Sequence, residues 1–199
     1  MDILVATGNK NKIKELSQIM PEHRFLTPAD LNIEYDYDKI GNTYCENALG
    51  KALCLHKMVG KPVLAEDSGL SVPALNGDPG IYSARYGQKE GLKLNDAEKN
   101  AYLLKNMDGI KDRRAFFVCS MVLVMNEYRY FVVQETMEGE LALEPAGSNG
   151  FGYDPVLYIP ASGKTVAQMS DEEKNGLSHR GKAGRKMKLI IESLAKELD

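Results

Sequence analysis

The sequence predicts an α/β fold built on a long mixed β-sheet, with residues 1–199 forming a single domain. Amphipathic helical segments alternate with short apolar strands in the first half, and two long strand-like segments then follow each other directly. The chain has 199 residues, of which 43% are hydrophobic and 27% charged, so it can bury a substantial core. We expect this domain to have two lobes around a cleft.

The first part of the chain alternates strand and helix. A short strand at 2–6 is followed by a polar loop at 7–12, and then by a helix whose apolar side chains repeat at helical spacing until Pro21. A second strand is expected at 23–26. The polar segment 32–42 is expected to be a loop or an irregular strand.

A second helix opens at a capping box. Thr43 and Glu46 have the spacing in which each side chain bonds the other residue's backbone amide, and the helix is expected to run to Gly60. The apolar segment 62–65 predicts a buried strand. We expect this strand to end in a turn at 68–69.

The second half contains a Gly- and Pro-rich loop at 73–91 and a helix at 95–107. Two long strands are expected at 115–125 and 128–137, and the first is apolar at nearly every position, which indicates that both of its faces are covered. A glycine-rich loop follows at 147–152. The last helix begins at Ser178 and has an apolar stripe formed by Ala183, Met187, Ile190, Ile191, Leu194 and Leu198.

Charge and composition exclude several classes of protein. Lys and Arg total 25 and Asp and Glu total 28, a net charge of −3 that argues against general nucleic-acid binding. The N-terminus lacks the pattern of a signal peptide, and the longest nearly apolar run is far shorter than a membrane span, so we expect a cytoplasmic protein that binds no membrane. Cys45, Cys54 and Cys119 lack zinc-site spacing and fit a reducing compartment.

An acidic pair follows the apolar strand at 62–65. Glu66 and Asp67 would carry two negative charges into the interior, where burial is costly unless a cation or hydrogen-bond donors compensate it. A hard metal ion such as Mg²⁺ prefers carboxylate oxygens and could provide this compensation. Taken alone, the pair also fits an acidic surface turn, because Asp67-Ser68-Gly69 is favourable turn chemistry.

Two further segments have residues suited to phosphate. The loop 7–12 lies between a strand and a helix, where backbone amides and the helix dipole attract anions, although it also fits an ordinary polar turn. Asn47 and Lys51 share a helical face next to Glu46. Glu46 could bind a metal and Lys51 a phosphate, or Glu46 could simply complete the helix cap.

The last two segments combine glycine, aromatic and basic residues. In the segment 147–155, glycines permit close approach to a flat ligand on which Phe151 and Tyr153 could stack; a turn with one core aromatic is the alternative. His179 and Arg180 lie in the first turn of the last helix, where cations oppose the helix dipole. An anionic ligand would remove this penalty.

Six segments, in this order, resemble the inosine triphosphate pyrophosphatase family. They are Thr7-Gly8-Asn9 with Lys12, Glu46-Asn47-Ala48 with Lys51, Asp67-Ser68-Gly69-Leu70, Pro79-Gly80-Ile81-Tyr82-Ser83-Ala84-Arg85, Phe151-Gly152-Tyr153-Asp154-Pro155, and Ser178-His179-Arg180-Gly181. The resemblance implies an elongated α/β body with a central active-site cleft, usually as a homodimer. It also implies Mg²⁺-dependent hydrolysis of non-standard purine nucleoside triphosphates (ITP, dITP, XTP) to the monophosphate and pyrophosphate.

The same resemblance implies roles for individual residues. Asp67 is the expected proton acceptor for the attacking water. The expected magnesium ligands are Glu46, Asp67 and Glu66. The expected substrate-binding residues are Thr7, Gly8, Asn9, Lys10, Asn11, Lys12, Lys51, Ser68, Phe151, Gly152, Tyr153, Asp154, Lys174, His179 and Arg180.

The chain departs from the family pattern at two places. Glu66 stands where the family commonly has Asp, and Ser148-Asn149 replaces a more usual Thr-Gly. These departures leave the metal geometry and the base preference open. The alternatives are a non-catalytic nucleotide-binding protein and a related pyrophosphatase that acts on pyrimidine or modified nucleotides.

Overall fold

The computed structural model describes residues 2–38 and 40–196, which form one seven-stranded mixed sheet with α-helices packed against it. The strands are β1 (Asp2–Val5), β2 (Arg24–Leu26), β3 (Val63–Ser71), β4 (Arg114–Asn126), β5 (Arg129–Leu141), β6 (Leu157–Ile159) and β7 (Lys164–Thr165). The helices are α1 (Lys10–Ile19), α2 (Tyr44–Val59), α3 (Asp96–Asn106), α4 (Asp171–Leu177) and α5 (His179–Lys196).

The sheet has the strand order β2-β1-β3-β4-β5-β6-β7. β1 pairs in parallel with both β2 and β3, whereas β5, β6 and β7 pair antiparallel. The predicted α/β class with a long mixed sheet is therefore confirmed. β4 is buried along most of its length, as its unbroken apolar sequence predicted.

The chain packs as two compact units. The first comprises residues 1–67, 119–135 and 179–199, and the second comprises 68–118 and 136–178. The first unit has apolar clusters around β1, α1 and α5 and around α2. The second has its own cluster, in which α3 packs with residues of β3, β4, β5 and β6.

Several boundaries differ from the sequence predictions. The expected turn at 68–69 is wrong, because β3 continues through Ser71 and places the acidic pair inside a strand. α1 begins at Lys10, since Asn9 caps it, so half of the expected 7–12 loop is helical. The expected loop at 73–91 contains three short 3₁₀ segments.

One helix and two strands were not predicted. α4 has a capping box in which Ser170 and Glu173 bond each other's backbone amides, a signal that was readable in the sequence. β6 and β7 are only three and two residues long, too short for periodicity to show.

The last helix begins at His179, one residue after the predicted start at Ser178. Four of its predicted apolar residues, Ala183, Met187, Ile191 and Leu194, are buried, Ile190 is half-buried, and Leu198 lies outside the described residues. Within 2–38 and 40–196, no helix is both long enough and apolar enough to cross a bilayer.

Candidate active site

Glu66 and Asp67 are both buried in β3, so the predicted burial of two adjacent charges is confirmed and the surface-turn alternative is wrong. Asp67 is fully buried, and Lys51 of α2 donates to its Oδ1 at 2.8 Å. The same Nζ donates to the Glu66 carbonyl at 2.9 Å. Lys51 therefore fixes both the side chain and the adjacent backbone of the acidic pair.

Glu66 is compensated by two cations within the first unit. Arg180 Nε donates to its two carboxylate oxygens at 3.0 and 2.9 Å, and Lys12 Nζ lies 3.1 Å from Oε1. Cys119 Sγ donates to Oε2 at 2.9 Å. Burial alone would raise the pKa of Glu66, but Arg180 and Lys12 outweigh it and hold the pKa well below its ordinary value.

Arg180 lies between two carboxylates. Its Nη1 donates to Glu15 Oε2 of α1, while its Nε binds Glu66, and the guanidinium is 2% exposed. Burial would lower the pKa of Arg180, but Glu66 and Glu15 raise it, so this cation stays charged. The anion expected at the first turn of α5 is therefore supplied by the protein itself. Direct contact between Arg180 and a substrate remains a prediction.

Glu46 completes the cap of α2. Its Oε2 accepts from the amides of Asn42 at 2.6 Å and Thr43 at 3.2 Å, while Thr43 Oγ1 accepts from the Glu46 amide. Asn47 is fully buried, and its Oδ1 accepts from the Gly41 amide. The predicted capping box is confirmed, and it fixes the position of a carboxylate on the first turn of α2.

The donor chemistry of two residues fits a hard cation. Glu46 and Asp67 present carboxylate oxygens, which have lone pairs beyond those used by the cap and by Lys51. Glu66 fits less well, because Arg180 and Lys12 already balance its charge. Among the described residues, no cluster of three or more His, Cys, Asp or Glu side chains has a metal-binding arrangement. Magnesium ligation stays a prediction.

The start of α1 is partly occupied by its own cap. Asn9 Oδ1 accepts from the amides of Asn11 at 2.9 Å and Lys12 at 3.3 Å, and Thr7 Oγ1 accepts from the Asn9 amide. Gly8, Asn9, Lys10 and Asn11 are exposed at this end of the helix. The positive end of the dipole and the ammonium of Lys10 therefore face solvent, an arrangement suited to phosphate.

In the second unit, the glycine and aromatic residues form a tight loop. Asp154 Oδ2 accepts from the Phe151 amide at 2.8 Å and from Lys174 Nζ at 2.7 Å. Lys174 Nζ also lies 4.9 Å from the centre of the Phe151 ring, within cation–π range. Asp154 and Lys174 are both buried, so the pair fixes the conformation of the loop.

The two aromatic residues of this loop have different environments. Tyr153 is buried in the apolar cluster, and its hydroxyl donates to the Ser83 carbonyl at 3.0 Å. Phe151 is half-buried. The structure therefore places Phe151, rather than Tyr153, where a ring could stack on a ligand.

Gly150 has no room for a side chain. Its φ is +76°, and a Cβ would lie 2.0 Å from Asp154 Oδ2. Asn149, where the chain departs from the family pattern, is held by two hydrogen bonds. Its backbone amide donates to the Ala167 carbonyl at 3.0 Å, and its side-chain Nδ2 donates to the Met169 carbonyl at 2.9 Å. These contacts fix both the backbone and the side chain of this residue.

The 79–85 motif supports the strand beyond the acidic pair. Ser83 Oγ accepts from the Leu70 amide at 2.9 Å and donates to the Gly80 carbonyl at 2.6 Å. A Cβ on Gly69 would lie 2.4 Å from both the Gly80 carbonyl oxygen and Ser83 Oγ. Ser68, the predicted substrate contact, is thus followed directly by a backbone segment held against this motif.

Sequence reasoning missed three residues that hold the site. Glu15 accepts a hydrogen bond from Arg180, and Cys119 donates one to Glu66. Ser83 accepts from the amide of Leu70, two residues after Ser68. The apolar period of α1 marks Leu16 as a core residue, but it gives no sign that Glu15 beside it is also buried. Such pairs join residues far apart in the chain, which no local pattern can show.

Comparison with known proteins identifies the family. The Ham1 family model matches residues 3–190. A dITP/XTP pyrophosphatase of Treponema denticola is 46% identical over 183 residues, covering 92% of this chain and 94% of that protein. A dITP/XTP pyrophosphatase of Thermus thermophilus is 43% identical over 189 residues, covering 93% of this chain and 89% of that protein.

Solved structures give the same result for the fold. The Ham1 protein of Staphylococcus aureus has a TM-score of 0.87 at 38% identity, covering 97% of this chain and 99% of that one. A HAM1 protein from Coxiella burnetii has a TM-score of 0.88 at 36% identity with the same coverage. The resemblance drawn from six motifs is confirmed: the chain belongs to the Ham1 family.

Proposed function

We propose that this protein hydrolyses the non-standard purine nucleoside triphosphates ITP, dITP and XTP to the monophosphate and pyrophosphate. The observation that carries the proposal is Asp67, a fully buried carboxylate that Lys51 holds at 2.8 Å on β3. Relatives that cover nearly the whole chain are named dITP/XTP pyrophosphatases, which supports the choice of substrate.

In the proposed reaction, a water molecule attacks the α-phosphorus while Asp67 Oδ2 accepts its proton. A new bond forms between phosphorus and the water oxygen, the bond to the bridging oxygen breaks, and pyrophosphate leaves with the electron pair. The reaction needs positioning and charge stabilisation more than covalent chemistry. The α1 terminus, Lys10 and Lys12 would bind the phosphates.

We further propose that the protein uses Mg²⁺. Glu46 and Asp67 would hold the ion, and Mg²⁺ when bound would neutralise charge on the phosphate oxygens. Glu66 has a different role in this proposal. Balanced by Arg180 and Lys12, it holds the two cations and the strand in place.

Base selectivity is proposed to lie in the loop around Phe151. The Phe151 ring would stack on the purine, and the Asp154–Lys174 pair would help select a keto group at its six position. A site built for a keto oxygen rejects an amino group strongly, because mismatched buried polar groups are left without partners. Turnover of ATP should therefore be far slower.

The homodimer and the cytoplasmic location remain part of the proposal. Sedimentation should give about twice the 22.0 kDa mass of one chain, and a monomer would contradict the first expectation. The three free cysteines fit a reducing compartment. Recovery of the protein in the soluble cytoplasmic fraction would support the second expectation.

The deciding experiment is product analysis with ITP, XTP, dITP, GTP and ATP, each with and without Mg²⁺. Monophosphate and pyrophosphate from the first three, and only with Mg²⁺, are expected. Binding without turnover would favour a non-catalytic nucleotide-binding protein instead. Turnover confined to pyrimidine or modified nucleotides, tested in a second panel, would favour the related pyrophosphatase class.

A further inference from the structure

Gly152 is held by α3 through both of its backbone polar groups. Its amide donates to Asp96 Oδ2 at 3.0 Å, and Asn100 Nδ2 donates to its carbonyl at 3.0 Å. Asp96 and Asn100 are four residues apart, so they share one face of the helix. Together they bind Gly152 much as a neighbouring strand would.

The Asp96 carboxylate is itself held in place. Its Oδ1 lies 2.7 Å from Lys99 Nζ, and Lys99 is buried. Burial raises the pKa of Asp96, but Lys99 and the Gly152 amide outweigh this and lower it, so the carboxylate stays charged. A capping box between Asn95 and Glu98 fixes the helix turn on which Asp96 lies.

Asn100 shows why the contact with Gly152 matters. The residue is 3% exposed, and its Oδ1 has no hydrogen-bond partner among residues 2–38 and 40–196. Burying an amide oxygen without a partner is unfavourable, and a leucine of similar size would avoid the cost. The bond from Nδ2 to Gly152 is the interaction that accounts for an amide here.

The segment needs this support because its backbone is intrinsically free. Gly150 and Gly152 have φ of +76° and +64°, and glycine populates many other conformations. On the far side of Gly152, the Tyr153 hydroxyl is fixed to the Ser83 carbonyl. The α3 contacts therefore restrain the two peptide units that flank Gly152, between Phe151 and Tyr153.

We propose that Asp96 and Asn100 are positioning residues that set nucleobase selectivity. They hold the two peptide units of Gly152, and through them the direction of the Phe151 ring and of the Asp154–Lys174 pair. This inference rests on the proposed function, because it assigns the same loop to the base. Neither residue touches the substrate in this proposal.

The test compares Asn100→Leu and Asp96→Ala with wild type in two measurements. The first is hydrogen exchange in the peptide covering 148–156, and the second is the ratio of kcat/KM for ITP to that for ATP. Loss of one hydrogen bond to the loop is expected to speed exchange and to lower the ratio by about three- to tenfold. A purely structural defect would instead lower both kcat/KM values together.

Two variants serve as controls. Asn106→Ala removes another amide from α3, one that donates to the Tyr86 hydroxyl at 2.8 Å, and should leave the ratio and the exchange unchanged. Asp96→Asn keeps an oxygen that can accept from Gly152 and should restore most of the ratio. If Asn100→Leu does not fold, the comparison of Asp96→Ala with Asp96→Asn still tests whether the hydrogen bond to Gly152 sets base selectivity.

The possible outcomes distinguish a failure of this inference from a failure of the proposed hydrolytic function. Faster exchange with an unchanged ratio, or an equal fall in the ratio for Asn106→Ala, would overturn the inference alone. A wild-type protein that turns over none of the purine triphosphates would overturn the proposed function, whatever the exchange data show.

Discussion

Two neighbouring carboxylates in β3 have been given different surroundings. Glu66 is paired with Arg180 and Lys12, whereas Asp67 has Lys51 at Oδ1. In the proposed mechanism only one of the two carboxylates exchanges protons with water. The stronger compensation of Glu66 suits a residue that must remain charged, and this leaves Asp67 as the proton acceptor.

Replacing Asp67 by Asn should remove catalysis without unfolding the protein. An amide oxygen can still accept from Lys51, but it cannot take a proton from water, so kcat should fall by about 10²- to 10⁴-fold with little change in KM. Steady-state kinetics with ITP would measure this change.

Asp112→Asn is the matched control, because Asp112 lies on the surface and is paired with Arg114. It should retain full turnover. A folded Asp67→Asn protein with wild-type kcat would exclude the proposed base.

Replacing Glu66 by Gln should instead destabilise the fold. The change removes one of the two buried carboxylates that balance Arg180 and also removes the partner of Lys12, and breaking such a buried pair costs about 3–5 kcal/mol of unfolding free energy. Because the folded-state pKa of Glu66 lies below its ordinary value of 4.5, its charge stabilises the protein fully above that pH. The difference from wild type should therefore narrow as the pH falls below 4.5.

Denaturant unfolding between pH 3 and pH 7, about the range over which carboxylates titrate, would follow this difference. Glu173→Gln is the control, since Glu173 pairs with Lys164 at the surface and Gln can also complete its capping box. A Glu66→Gln protein that is as stable as wild type near neutral pH would contradict the prediction.

At the scale of elements, backbone conformation and the surrounding atoms decide which positions can accept a residue larger than glycine. The loop before Phe151 turns at Gly150 with φ of +76°, and Asp154 fills the space in which a Cβ would lie. Gly163, between β6 and β7, has a similar φ of +65° but open space around it. The two glycines therefore separate backbone strain from steric overlap.

Gly150→Ala should be the more damaging of the two changes. Both variants bear left-handed strain, but only Gly150→Ala must also displace the Asp154–Lys174 pair, which adds about 1–3 kcal/mol of destabilisation. Thermal unfolding of both proteins would compare them. Equal losses of stability in the Gly150→Ala and Gly163→Ala proteins would show that the Phe151 loop accommodates the extra methyl group without displacing the Asp154–Lys174 pair.

At the scale of the whole molecule, net charge limits the partners. A chain with a charge of −3 lacks the basic surplus that binds phosphate backbones. We expect no measurable affinity for duplex DNA at physiological salt in a fluorescence anisotropy titration. Binding that weakens steeply with added salt would contradict this expectation and revive a nucleic-acid role.

The sequence by itself determined helices α1, α2, α3 and α5 and the long strands β4 and β5. Capping residues such as Thr43, apolar periodicity in α5 and the unbroken apolar run of β4 are local signals, and each acts within a few residues. Because these signals act only over a few residues, they also explain the wrong sequence predictions. The turn expected after Asp67 is favourable in isolation, but pairing within the sheet carries β3 on to Ser71.

The sequence also supplied the six motifs and, with them, Asp67, Lys51 and Asp154 as predicted site residues; the family resemblance added Lys174. Only the tertiary structure showed that Arg180 lies between Glu15 and Glu66, or that Asp96 and Asn100 hold Gly152. These contacts join positions up to 165 residues apart. Charge compensation and loop restraint depend on distance in space, which the chain acquires only when the sheet and helices have packed.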